Sequence, residues 1–159
     1  MRGELGMLSG RQLHGLVIKD HNGMELGRIQ EVLADPTNGR IFGFLVDTSS
    51  LLTRRCFLPM DQVRQLSLRG VVVDGRAALR KAERTLPGEA QLAQRGRTVY
   101  RMNGASGVIA DILVEQDQVC GWEISQGLLH DLRHKRRFLP REQAENRGGA
   151  FIEIDQSSF

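Results

Sequence analysis

The chain has 159 residues with 40% hydrophobic and 26% charged side chains, a balance that excludes the disordered and collagen-like classes. Net charge is +3 and the pI about 9.3, an excess that tolerates anionic partners without the strong bias of a dedicated nucleic-acid binder. No uncharged apolar run approaches the roughly 18 residues of a membrane span, and residues 1–8 lack the apolar core of a signal peptide, so a cytoplasmic location is expected.

Leu16-Val17-Ile18-Lys19 is a β-prone run ending at Asp20-His21-Asn22-Gly23. Asn22-Gly23 supplies the positive φ of a tight hairpin, so a strand is predicted to follow at once. In that segment, residues 25–34, Leu26, Ile29 and Val32 are spaced by three, which also fits a helix. A strand is preferred because Gly27 can act as a bulge, after which Ile29, Glu31 and Leu33 alternate with Gln30, Val32 and Ala34. Residues 35–39, Asp-Pro-Thr-Asn-Gly, make a second turn. Residues 40–47 are apolar on both alternating faces and predict a central strand covered on both sides. A loop then leads to a short strand over 55–58, stopped by Pro59; a turn or brief helix spans 60–63, and residues 68–74 close the unit.

Residues 76–84 place Ala77, Ala78, Leu79 and Ala82 among charged residues, predicting a short helix ended by Leu86-Pro87-Gly88. Its apolar content suits a connector packed on its neighbours rather than a free tether. From Thr98 the first pattern returns: strands over 99–102, 108–114 and 119–124, with the turn Asn103-Gly104 between the first two. The connection to Leu139-Pro140, from Gly127 to Lys135, is three residues longer than its earlier counterpart.

The chain therefore repeats itself. Asn22-Gly23, residues 26–33, residues 41–46, Arg54-Arg55-Cys56-Phe57-Leu58-Pro59 and residues 70–73 are answered in order by Asn103-Gly104, residues 107–114, residues 119–124, Arg136-Arg137-Phe138-Leu139-Pro140 and residues 149–154. Five landmarks recurring in order imply two copies of one small β-rich unit. The predicted architecture is mainly all-β: two tandem small antiparallel β-barrels, residues 1–75 and 97–159, joined by a short helical connector over 76–96.

The succession Asn22 to Val32, Asp35 to Val46 and Phe57-Leu58-Pro59-Met60-Asp61-Gln62-Val63 resembles the PRC-barrel family, named for the cytoplasmic part of the photosynthetic reaction centre H subunit. Ser125 to Leu132 followed by Arg136-Arg137-Phe138-Leu139-Pro140 is similar to the second half of bacterial tandem PRC-barrel proteins. The likeness covers about residues 8–75 and 95–156. It implies a strongly bent antiparallel sheet of five or six strands per unit, closed as a barrel, and little chemistry. Family members act as docking modules, in the reaction centre subunit, in a ribosome maturation factor and in archaeal division proteins. This chain is expected to lack the first one's transmembrane anchor and, unlike the second, to repeat the PRC unit.

Gly23, Gly27, Gly43, Gly104, Gly107 and Gly121, with Pro59 and Pro140, read as turn, bulge and strand-end residues, since phosphate-cradling glycines would cluster ahead of a helix. Arg133, Lys135, Arg136 and Arg137 form a basic cluster, with Arg54 and Arg55 at the matching place in the first unit; together they would line one anion- or partner-attracting surface, or guard a strand edge with charge. His130 and His134 have an H-x3-H spacing, but apart from Asp131 no Cys pair or neighbouring carboxylate completes a metal site. Cys56 and Cys120 sit in apolar patterns and read as buried thiols. Ser49-Ser50 and Ser157-Ser158 have no nucleophile motif around them. No catalytic residue, metal or cofactor is expected.

The expected function is thus a non-enzymatic protein-interaction adaptor that docks partners, or a second copy of itself, through exposed strand edges. The alternative is an RNA- or ribosome-associated maturation factor that binds through the basic loops.

Overall fold

The computed structural model describes residues 6–48, 55–147 and 150–154. Strands dominate them: 52% of residues lie in strands and the sheets are curled. In chain order the elements are β1 (Leu8–Ser9), α1 (Gly10–Leu13), β2 (Val17–Lys19), β3 (Glu25–Ala34), β4 (Ile41–Asp47), β5 (Arg55–Pro59), β6 (Gln65–Ser67), β7 (Gly70–Val72), β8 (Arg80–Lys81), β9 (Glu89–Ala90), β10 (Thr98–Arg101), β11 (Gly104–Glu115), β12 (Gln118–Ser125), α2 (Leu128–Arg133), β13 (Arg137–Pro140), β14 (Ala144–Arg147) and β15 (Ala150–Glu153). They form two sheets, ordered β6-β7-β2-β3-β4-β5-β8 and β13-β12-β11-β10-β15-β14. Each contains a parallel pair, β2 with β7 and β10 with β15, because the closing hairpin brings the last strand beside the first.

The two sheets correspond register by register. Gly27 pairs with Ile18 after the unpaired Leu26, and Gly107 pairs with Val99 after the unpaired Ser106. A second bulge puts Gln30 and Ala110 out of register, between the pairs Ile29↔Val46 and Glu31↔Leu45 and between Ile109↔Ile124 and Asp111↔Glu123. That bulge corrects the simple alternation expected after Gly27: an extra residue turns the two-residue period into three, so Ile29 and Val32 are both buried, as are Ile109 and Ile112. The helix-like spacing of Ile29 and Val32 is therefore a bulge signature.

Gly43 and Gly121 share one reason for lacking a side chain. Each sits opposite the proline that ends the next strand. A Cβ at Gly43 would press into the Leu58 carbonyl and the Phe57 ring, and one at Gly121 into the Leu139 carbonyl and the Phe138 ring. Gly23, at φ 85°, takes the left-handed conformation that the hairpin requires. Asp20 Oδ1 holds that turn by accepting the amides of Asn22 and Met24, both at 2.9 Å. Phe42, on the strand expected to be covered on both faces, is exposed.

Each half lends a short arm to the other. β1 pairs with β11, placing Leu8 opposite Val114 and Ser9 opposite Leu113; β9 pairs with β3, placing Ala90 opposite Leu33. These exchanged strands, with β8, explain why the sheets hold eight and seven strands where the resemblance implied five or six. The arm's next turn is capped from the opposite sheet in both cases. Asp111 Oδ2 accepts the Arg11 amide at 3.1 Å, and Glu31 Oε1 accepts the Leu92 amide at 2.6 Å. Where the hairpins meet, Ile41 N donates to Asp117 O at 2.8 Å and Val119 N to Gly39 O at 2.7 Å, a reciprocal pair between matching places of the two halves. Buried residues of both halves, from Leu8 to Phe151, make one continuous core. Trp122 belongs to it: the indole N–H donates to Gln94 Oε1 at 3.1 Å and the ring meets Phe151 edge-on.

The helix expected over 76–84 is replaced. Arg76–Ala78 makes a single 3-10 turn, and Arg80–Lys81 leaves helical geometry to pair with β5. The edge of β5 offers backbone partners that a short isolated helix cannot match.

Candidate docking surface

The basic residues singled out in the sequence do not form one free anion surface. Arg54 lies outside the described residues, as do Ser49-Ser50 and Ser157-Ser158. Arg55 stands exposed at the start of β5, opposite Asp47. Arg137 is committed inward: its NH1 and NH2 donate to the two oxygens of Glu153 at 2.6 and 2.8 Å. Arg101 donates to the same carboxylate at 3.1 and 3.2 Å, and the Ser106 hydroxyl adds a bond at 3.3 Å. Burial pushes the Glu153 carboxyl up, but the guanidiniums of Arg137 and Arg101 outweigh it and hold it below the ordinary carboxylate range. Glu153 was not legible as a site residue because its partners lie on other strands.

Arg136 is tied to the base of α2. Asp131 Oδ2 accepts the Ser125 hydroxyl at 2.6 Å and Arg136 Nε at 3.1 Å. Ser125, and then Arg136, holds the Asp131 carboxyl below its usual range. The Ser125 hydroxyl oxygen also accepts the Gly127 amide at 3.2 Å. This knot fixes both ends of the connection between β12 and β13, so α2 projects from the body in a set orientation. Three of its outward residues are apolar, Leu128, Leu129 and Leu132 at 77%, 79% and 75% exposed, and His130 and Arg133 are exposed with them. At positions i, i+1 and i+4 the three leucines share one helical face. Arg133 and Lys135, at the end of the helix, are exposed beside them. The composition of this segment was visible in the sequence; its projection was not, because an Asp–Ser–Arg knot leaves no periodic trace.

Beside α2 runs β13. Its counterpart β5 is covered on its outer side by β8, with Phe57 opposite Arg80. Among the described residues nothing pairs with the outer side of β13, and Phe138, the counterpart of Phe57, is 44% exposed. An open strand edge flanked by a large apolar side chain is a template for a further strand.

The other sequence candidates sit elsewhere. The rings of His130 and His134 stack at 4.8 Å, and among the described residues no group of three or more His, Cys, Asp or Glu is placed to hold a metal. Cys56 is buried; Cys120 is half-buried, its thiol 3.4 Å from the Leu113 carbonyl. Burial pushes both thiols up, against Arg76 at Cys56 and with Glu115 at Cys120. Gly27 and Gly107 face the carbonyls of Asp47 and Ser125, Gly104 opens β11 after the turn, and Pro59 and Pro140 each precede a 3-10 turn. No helix among the described residues is long and apolar enough to cross a membrane.

Comparison with curated proteins finds no match to the chain. Residues 6–80, which run from the β1 arm to β8, match the family model of the PRC-barrel domain, so the first half of the chain carries a PRC-barrel domain.

Proposed function

We propose that the chain is a non-enzymatic docking module of two PRC-barrel units, residues 1–75 and 97–159 with 76–96 between them, as in bacterial tandem PRC-barrel proteins. The second unit is the one that binds: an extended segment of a protein partner adds as a strand to the outer edge of β13. One observation carries this reading, the contrast between β5, closed by β8, and β13, open among the described residues beside exposed Phe138. The shared registers and reciprocal arms support the tandem interpretation of the second half. The RNA-binding alternative is weakened because Arg136 and Arg137 are engaged by Asp131 and Glu153. Thiols held protonated by burial suit a module that performs no thiolate chemistry.

The test is affinity capture from the native cytoplasm with the wild-type chain, Phe138→Glu, and Leu68→Glu as a control at an exposed site in the first half. A discrete partner retained by wild type and Leu68→Glu but lost by Phe138→Glu is expected. Identical partners on all three chains would overturn the reading. Light scattering on the purified chain then shows whether the added strand comes from a second copy.

A further inference from the structure

We propose that α2 is a contact point for an anionic lipid bilayer, a role separate from strand addition at β13. The leucines of α2 do not line a groove. Exposures of 75% to 79% mean that Leu128, Leu129 and Leu132 stand proud of the surface. A convex apolar prominence of this kind enters a soft bilayer interface without needing a shaped groove on a partner.

Charge selects the partner. Arg133 and Lys135 are exposed at the end of the leucine face and Arg136 lies at its base, whereas the one carboxylate of the helix, Asp131, is turned inward onto Ser125 and Arg136. Two copies meeting leucine face to leucine face would bring these cations together, which opposes self-association there. An anionic lipid surface satisfies the cations and the leucines at once, and weak anchors need both signals.

Met102, in the turn between β10 and β11, is almost wholly exposed. The hollow of about 760 Å³ beside it is lined by Asn103, Ala105 and Val108 on one side and by Ser125, Gln126 and Gly127 at the foot of α2 on the other. Arg101 and Asn103, the chain neighbours of Met102, and Gly127, the residue before Leu128, therefore line one hollow. The Ser125–Asp131–Arg136 knot keeps α2 oriented without further folding on contact, so little ordering entropy opposes docking.

The experiment is vesicle co-sedimentation of the full chain with pure phosphatidylcholine and with phosphatidylcholine containing about 30% phosphatidylglycerol. Wild type is expected to bind the anionic vesicles and not the neutral ones, with affinity falling as salt rises. Replacing Leu128, Leu129 and Leu132 together by Gln is expected to weaken binding at least about tenfold. Arg133→Gln with Lys135→Gln is expected to weaken it about fivefold per charge removed. These residues lie outside the core, so circular dichroism should be unchanged in both variants. Absence of wild-type binding to anionic vesicles, or equal binding by the triple-leucine variant, would overturn the proposal. So would a soluble protein partner, captured without vesicles, whose retention needs the three leucines while vesicles do not bind.

Discussion

Glu153 offers the sharpest test of how the second half is held together. Its side chain is 8% exposed and lies between Arg137 and Arg101, which keep 30% and 42% of their exposure. Four hydrogen bonds from the two guanidiniums and one from Ser106 converge on the carboxylate. Removing one partner of a fully buried pair costs about 3–5 kcal/mol. The partly wet guanidiniums recover some hydration when the carboxylate is lost, so Glu153→Gln should cost about 2 kcal/mol. In a chain of this size that lowers the melting temperature by about 4–8 °C. The pH dependence follows from the carboxyl pKa being lower in the folded state than its ordinary 4.5. The unfolded chain then binds more protons in acid, so the stabilisation is fully present above about 4.5 and is lost as pH falls through the depressed folded value. Urea titrations at neutral pH and in steps down to about pH 3 should show wild type and Glu153→Gln converging on acidification. Equal stability at neutral pH, or a gap that stays constant into acid, would refute the inward-facing ion-pair account.

The close approach at the prolines predicts that Gly43→Ala and Gly121→Ala each cost about 1–3 kcal/mol by displacing the neighbouring strand; urea midpoints within error of wild type would argue against it. The exchanged arms predict a cross-over effect. Glu31→Ala should speed hydrogen exchange at the Leu92 amide, Asp111→Ala at the Arg11 amide, each with a loss of about 1–2 kcal/mol. Exchange that changed only within the mutated half would contradict the reciprocal capping.

Much of the strand framework was legible because its signals are local or repeated. Asn22-Gly23 sets a hairpin by its own φ preference, and Gly43 and Gly121 advertise close packing by standing at matching places ahead of Leu-Pro. The arms were hidden for a physical reason. Leu8–Ser9 and Glu89–Ala90 are two residues long, too short to carry a period, and their partners are far off in sequence. A signal did exist: Glu31 and Asp111 are acidic residues at equivalent places inside apolar strands, and each spends its carboxylate on an arm of the opposite half. The helix expected over 76–84 failed because local propensity is weak beside an unpaired strand edge, which took Arg80 and Lys81. The basic cluster was legible as charge but not as arrangement, because charge in sequence does not reveal direction. Arg137 on β13 points at Glu153, while Arg133, four residues earlier at the end of α2, faces water.

The same geometry explains where the two halves differ. Reciprocal arms, paired hairpins and a shared core tie residues of each half to those of the other, so a change there is felt twice. The connection between β12 and β13 and the outer side of β13 lie beyond that shared framework, and they are where the second half departs most from the first: a longer connection, a projecting helix, an edge uncovered among the described residues. Substitutions at Leu128, Leu129 or Leu132 should therefore leave stability within about 0.5 kcal/mol while changing what the molecule binds. Substitutions at Glu31, Asp111 or Glu153 should do the reverse. A variant set that failed to separate along this line, with stability and binding falling together at α2, would mean that the projecting helix is part of the scaffold and not of the docking surface.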